Sequence, residues 1–277
     1  MKKMVITQLA KKINHSLTLF FLIFGGLTSR VYSETITVGC TIGCSNQIQT
    51  GILRAAKSLN LSVEFTNLIK SPSTGFDVLI SPGGGDPDPS FYTKNLNRTQ
   101  KNKIFALNKK YSKQTDKSRA RDAFEYKLLS SYFEDQKYKN TRALGICYGM
   151  QMMGIVKGMP LYVDIEQELG VKPRIGYLND VVYIKQGTLA YKIFKSASIL
   201  GRKYHHQALN LKFFQDNPNL FLDVTFSAFS NGGKIPEIIE FKNRNAIGVQ
   251  FHPEHKNSDP NVTNRLFAWL LSDIKPE

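Results

Sequence analysis

From residue 35 onward the chain alternates short apolar runs with longer stretches of helical period. Thr35-Ile-Thr-Val is a strand pattern, residues 47–59 repeat apolar positions at helical spacing, and Leu61-Ser-Val-Glu-Phe and Phe76-Asp-Val-Leu-Ile are further strands. Residues 118–135 predict a long amphipathic helix with Ala123, Phe124, Leu128, Tyr132 and Phe133 on one stripe. It delivers the chain to a buried strand, Thr141-Arg-Ala-Leu-Gly-Ile-Cys, and to the helix after it, Tyr148-Gly-Met-Gln-Met-Met-Gly-Ile-Val. The back half is richer in strands: Asp180-Val-Val-Tyr-Ile, Leu220-Phe-Leu-Asp-Val, Pro236-Glu-Ile-Ile-Glu-Phe and Ala246-Ile-Gly-Val-Gln-Phe, before a closing helix over 261–274. Such alternation predicts an α/β fold, whose ligands bind at the carboxyl ends of the strands.

The first 33 residues follow another pattern. Lys2, Lys3, Lys11 and Lys12 form a basic start, Leu17-Thr-Leu-Phe-Phe-Leu-Ile-Phe-Gly-Gly-Leu27 an apolar core, and Val31-Tyr-Ser33 a small-residue end. Eleven residues are too few to span a bilayer, which takes about 20. A signal peptide over 1–33, cleaved near Ser33, is the expectation, with export to a periplasmic or extracellular space and one domain over 34–277. An uncleaved anchor and a cytosolic protein with an apolar extension are the other readings. Thr37 and Thr41 stand where a lipoprotein signal would want leucine before Cys40 or Cys44. Export would permit disulfides, and Cys40 and Cys44 read either as a bridge or as unpaired core or loop thiols.

Composition narrows the function classes. A chain of 277 residues, 42% hydrophobic, can bury one large core. The net charge is +15, and between Lys94 and Asp122 ten basic residues meet two acidic ones. That run reads as a solvated or mobile loop, or as a patch that steers an anionic substrate. Nucleic acid is the weakest partner, because no binding module or aromatic-interleaved patch accompanies the charge. A metal site at Cys40 and Cys44 lacks nearby histidines and further cysteines, so no metal and no cofactor are expected.

The candidate chemistry lies in two segments about a hundred residues apart. Leu144-Gly-Ile-Cys-Tyr-Gly-Met-Gln places Cys147 at a strand-to-helix turn between Gly145 and Gly149, where a sharp elbow pushes the sulfur outward. The helix N-terminus there favours thiolate over thiol, and the Tyr148 N–H is left free to donate to an oxyanion. Ala246-Ile-Gly-Val-Gln-Phe-His252-Pro253-Glu254 ends an apolar strand with a base and a carboxylate two positions apart, on one side of an extended strand. Cys147, His252 and Glu254 thus spell a nucleophile, a general base and its orienting group. Ser81-Pro-Gly-Gly-Gly-Asp-Pro, after a strand, reads either as an ordinary turn or as a loop whose backbone N–H groups approach a developing negative charge.

These three segments resemble class I glutamine amidotransferase domains. Arg121-Asp-Ala-Phe-Glu125 and Tyr204-His-His-Gln207-Ala narrow the resemblance to gamma-glutamyl hydrolases of the peptidase C26 type, the gamma-glutamyl-gamma-aminobutyrate hydrolases in particular; it covers roughly residues 75–260. It implies an open, mostly parallel sheet flanked by helices, flavodoxin-like in architecture. It also implies a cysteine-dependent hydrolase of gamma-glutamyl amide bonds that works through a glutamyl thioester. The oxyanion hole would be the backbone N–H of Gly83 or Gly84 together with that of Tyr148. Gln151, His206 and Gln207 resemble substrate-contacting positions, though His205 and His206 otherwise read as a solvated pair. A small-molecule or peptide gamma-glutamyl substrate is the expected partner, with membrane contact only during export. The alternatives are a glutaminase subunit supplying ammonia to a partner, and a non-catalytic secreted binding or effector module.

Overall fold

The computed structural model describes residues 35–112 and 114–272, so the signal-peptide reading of 1–33 lies outside the described residues. In chain order the strands are β1 (Thr35–Cys40), β2 (Ser62–Asn67), β3 (Val78–Ser81), β4 (Arg142–Ile146), β5 (Leu161–Tyr162), β6 (Arg174–Ile184), β7 (Ser198–His205), β8 (Ala208–Leu209), β9 (Val224–Ser230), β10 (Ile235–Phe241) and β11 (Ala246–Val249). The helices are α1 (Asn46–Leu59), α2 (Pro89–Tyr92), α3 (Arg98–Tyr111), α4 (Asp116–Glu134), α5 (Tyr148–Val156), α6 (Ile165–Leu169), α7 (Leu189–Phe194), α8 (Leu211–Asp216) and α9 (Pro260–Leu271).

Among the described residues one nine-stranded sheet dominates, in the order β2-β1-β3-β4-β11-β10-β9-β6-β7. From β2 to β11 every neighbouring pair is parallel, and β10, β9, β6 and β7 extend that half antiparallel. Helices cover both faces. On one, Ile48 and Ile52 of α1, Phe194 of α7 and Leu266 and Phe267 of α9 pack on Val38, Ile80, Ile146 and Val249. On the other, Leu129 and Tyr132 of α4 and Met150 and Met153 of α5 pack on Leu79, Ala143 and Ile239. Being sandwiched explains why β3, β4 and β11 are near-continuous apolar runs. Cys40 and Cys44 are bridged at the end of β1, with Cα atoms 5.4 Å apart.

Three sequence expectations are corrected, and one strand of the large sheet was missed. The basic run from Lys94 is helix rather than loop: Asn97 and Gln100 cap α3 reciprocally, and Thr115 and Ser118 do the same for α4. Ile104 is the buried residue of α3, so its basic face is solvated. The buried residues of α4 are Asp122, Glu125, Leu129 and Tyr132; of the predicted stripe Tyr132 is buried, Phe124, Leu128 and Phe133 pack partly buried against the core, and Ala123 is exposed. The two carboxylates turn inward because they have partners there, described below. Leu220-Phe-Leu-Asp-Val is mostly a turn, with Leu222 73% exposed and β9 beginning at Val224. Strand β7 went unpredicted because its alternation is inverted. Leu200 and Tyr204 face solvent while Lys203, 1% exposed, points inward to Glu237 at 2.7 Å and Asp180 at 2.9 Å.

Candidate active site

Strands β3, β4 and β11 are consecutive neighbours, so three separate sequence segments finish side by side at their carboxyl ends. Cys147 follows β4 directly, with its N–H donating to the Val249 carbonyl of β11 at 2.7 Å. Its backbone sits at φ 50° and ψ −105°, a region costing a non-glycine residue on the order of 1–3 kcal/mol. Neighbouring glycines make the bend possible. A Cβ at Gly149 would overlap the carbonyl oxygen of Ser81, and one at Gly145 would fall 2.6 Å from the Gly149 carbonyl carbon. The elbow and the end of β3 therefore touch with no room for a side chain on Gly149. The predicted outward sulfur is corrected: Cys147 is only 5% exposed, because Gly83 and Gln250 close over it. Gln250 Nε2 donates to Cys147 Sγ at 3.5 Å.

His252 lies beyond β11, which ends at Val249, so a turn rather than an extended strand brings it together with Glu254. The turn is pinned by three bonds: His252 N–H to the Arg202 carbonyl at 2.7 Å, Ser258 Oγ to the His252 carbonyl at 2.6 Å, and Thr263 Oγ1 to the Pro253 carbonyl at 2.6 Å. His252 Nδ1 pairs with Glu254 Oε1 at 2.8 Å. Burial works against a charged ring here, but the charge and hydrogen bond of Cys147 outweigh it, and Glu254 adds to them. The result is a ring held up to about 10 from 6.5, so that the protonated imidazolium is favoured.

The glycine loop after β3 is clamped from α4. A Cβ on Gly83 would lie 2.9 Å from His252 Cε1 and 3.8 Å from the Cys147 Cβ, which puts this loop against the pair. Arg121 Nη2 donates to the Pro82 carbonyl at 2.7 Å and Nη1 to the Gly83 carbonyl at 3.1 Å. Its Nε meets Glu125 Oε1 at 2.6 Å, and the other Glu125 oxygen accepts from Ser81 Oγ. The guanidinium also lies 3.9 Å over the Tyr148 ring, whose hydroxyl donates to Asp122 Oδ1 at 2.5 Å. These residues were visible as Arg121-Asp122-x-x-Glu125, one face of a helix. Their task was not, since it depends on a loop 38 residues upstream.

Of the expected substrate contacts, Gln151 and Gln207 are buried behind the thiol. Gln151 Nε2 donates to Gln250 Oε1 and to the Gln207 carbonyl, each at 3.3 Å, and His205 Nδ1 donates to that carbonyl at 3.0 Å. His205 and His206 are not a solvated pair: His205 is buried, and His206 bridges Asp86 of the glycine loop at 3.0 Å and Asp164 at 3.3 Å. Burial opposes protonation of His206, but the two carboxylates outweigh it and raise its pKa. Among the described residues no group of three or more His, Cys, Asp or Glu side chains is arranged to hold a metal ion.

Residues 52–254 match the sequence model of the family described as Peptidase C26. The CTP synthase of Pelagibacter ubique is 32% identical over 164 residues, 48% of this chain, and the chain spans 30% of that protein's length. Protein NtpR of Enterococcus hirae is 26% identical over 222 residues, which is 74% of this chain and 81% of the relative. Among solved structures, the glutaminase domain of Trypanosoma brucei CTPS with bound acivicin superposes with a TM-score of 0.56 at 15% identity, covering 87% of this chain and 96% of that one. A glutamine amidotransferase from Thermotoga maritima superposes with a TM-score of 0.53 at 14% identity, covering 86% and 97%. At such identities these likenesses establish a shared fold.

Proposed function

Because the chain belongs to the peptidase C26 family, we propose that it is a cysteine-dependent hydrolase of gamma-glutamyl amide bonds. The observation that carries this reading is the meeting of Cys147, the His252–Glu254 pair and the glycine loop at the ends of three adjacent strands. In the first step the Cys147 thiolate attacks the side-chain carbonyl carbon; a C–S bond forms and the carbonyl π pair moves to oxygen. The N–H of Tyr148 and that of Gly83 or Gly84 receive this oxyanion. Collapse breaks the C–N bond while His252 gives its proton to the leaving amine. Water, deprotonated by His252, then adds to the thioester, and loss of the thiolate releases glutamate. Gln151 and Gln207 support the site from behind, and His206 holds Asp86 of the glycine loop. Residues 1–33 support export, which N-terminal sequencing of the mature chain near Glu34 tests; an intact Met1 would refute it.

A second reading is kept by the relatives. Several are CTP synthases, of which this chain corresponds to a minor part, so a glutaminase that passes ammonia to a partner protein also fits. A panel of glutamine, gamma-glutamyl amines and poly-gamma-glutamate, with products identified by mass spectrometry, separates them. Amine or glutamate release from the gamma-glutamyl compounds, well above ammonia release from glutamine, is expected. Turnover confined to glutamine would overturn the first reading in favour of the second.

A further inference from the structure

We propose that Arg121 is the positioning residue that aims the glycine-loop half of the oxyanion hole and ties it to the Tyr148 half. The inference rests on the nucleophilic role of Cys147 given above and adds a residue that never needs to touch substrate. In a trans peptide the carbonyl and the N–H of one unit point in opposite directions. None of the described peptide bonds is cis. Arg121 takes the carbonyls of Pro82 and Gly83 with its two terminal nitrogens. The N–H groups of Gly83 and Gly84, which belong to those same two units, are thereby turned away from Arg121. The space a Cβ on Gly83 would enter is the space of His252 and Cys147, so this part of the loop already borders the reacting pair.

The same guanidinium fixes the second half. Its plane rests on the face of Tyr148, the first residue of α5 and owner of the other proposed donor. One rigid fork thus sets the separation between two donors that follow different strands, β3 and β4. Glu125 holds the fork in place through Nε while also accepting from Ser81 Oγ, at the root of the loop. Gly84 carries no side chain because a Cβ there would overlap Arg121. A guanidinium does this and an ammonium does not: two carbonyls and one carboxylate are met by three nitrogens of one planar group.

The experiment compares Arg121→Lys, which keeps the ion pair with Glu125, with wild type. Hydrolysis of gamma-glutamyl-p-nitroanilide is expected to lose about 10- to 100-fold in kcat with KM changed by less than about threefold, because misaimed donors weaken transition-state binding. Alkylation of Cys147 by iodoacetamide, which forms no oxyanion on a carbonyl, is expected to stay within about twofold, showing the thiolate intact. Residual dipolar couplings of the Gly83 and Gly84 amides should change, while those of β4 do not. A kcat within about threefold of wild type, or alkylation that falls in parallel with kcat, would overturn the proposal. If wild type hydrolyses no gamma-glutamyl amide, the proposed function fails separately; unchanged Gly83 and Gly84 couplings in Arg121→Lys would then overturn the positioning role on their own.

Discussion

At His252 three influences compete, and the outcome sets the pH range of the chemistry. Burial alone would discharge the ring, yet Cys147 on one side and Glu254 on the other keep the proton on it up to about 10. A raised value means that the protonated ring is present through neutral pH and is lost as pH rises through that raised value. Glu254→Gln keeps a hydrogen-bond acceptor for Nδ1 but removes the charge. The alkaline limb of kcat/KM is therefore expected to move to lower pH by about one unit or more, with activity at pH 6 reduced less than at pH 9. A limb that stays put, or moves up, would mean that Glu254 orients the ring without stabilising its charge. The proposed triad residues stand out in the sequence because each sits beside a residue type that its local geometry demands: glycines about Cys147 and a proline between His252 and Glu254. Gln250, Asp86 and Asp164 could not, since their partners lie 103, 120 and 42 positions away.

Among the elements, the elbow between β4 and α5 is the tightest joint. Ser81 at the end of β3 is in backbone contact with Gly149, so the Cys147 elbow and the glycine loop are held by one contact that tolerates no methyl group. Gly149→Ala is expected to cost about 3 kcal/mol or more, read as a lower denaturant midpoint, because backbone on both sides cannot yield as a flexible side chain would. A loss below about 1 kcal/mol would show that the joint is loose. Strands β3, β4 and β11 were legible as apolar runs because they are buried on both faces. Strand β7 was hidden for the opposite reason, its buried face carrying Lys203 and His205 and its exposed face Leu200 and Tyr204. Helix α3 was hidden by its charge: one buried residue, Ile104, leaves no apolar stripe, and the Asn97–Gln100 cap is the local signal that marks its start.

On the scale of the whole molecule, the charge is uneven and its densest part borders the site. Helix α3 ends near Ser112, whose Oγ accepts from Gln207 Nε2 at 3.2 Å, and Gln114 Nε2 reaches the Asp86 carbonyl at 3.4 Å. Lys109 and Lys110 are exposed on the last turn of that helix. A field of this kind acts on encounter, so kcat/KM for poly-gamma-glutamate should fall steeply with added salt while kcat is little changed, and neutralising Lys109 and Lys110 should flatten that dependence. Equal salt effects on a small gamma-glutamyl amide would reduce the basic face to a solvated surface. The α/β class was legible in the alternation of periods; of the antiparallel extension beyond β11, β10 was legible as an apolar run, while β7 was not, because its buried face carries Lys203 and His205. The proposed chemistry depends on the sulfur of Cys147, the one free cysteine among the described residues. Its most direct test is a chloroketone analogue of glutamine, followed by intact mass and peptide mapping alongside residual activity. One adduct per chain, located on Cys147, formed in step with loss of hydrolysis and absent from Cys147→Ala, is the predicted result. An adduct elsewhere, or hydrolysis retained by Cys147→Ala, would contradict it.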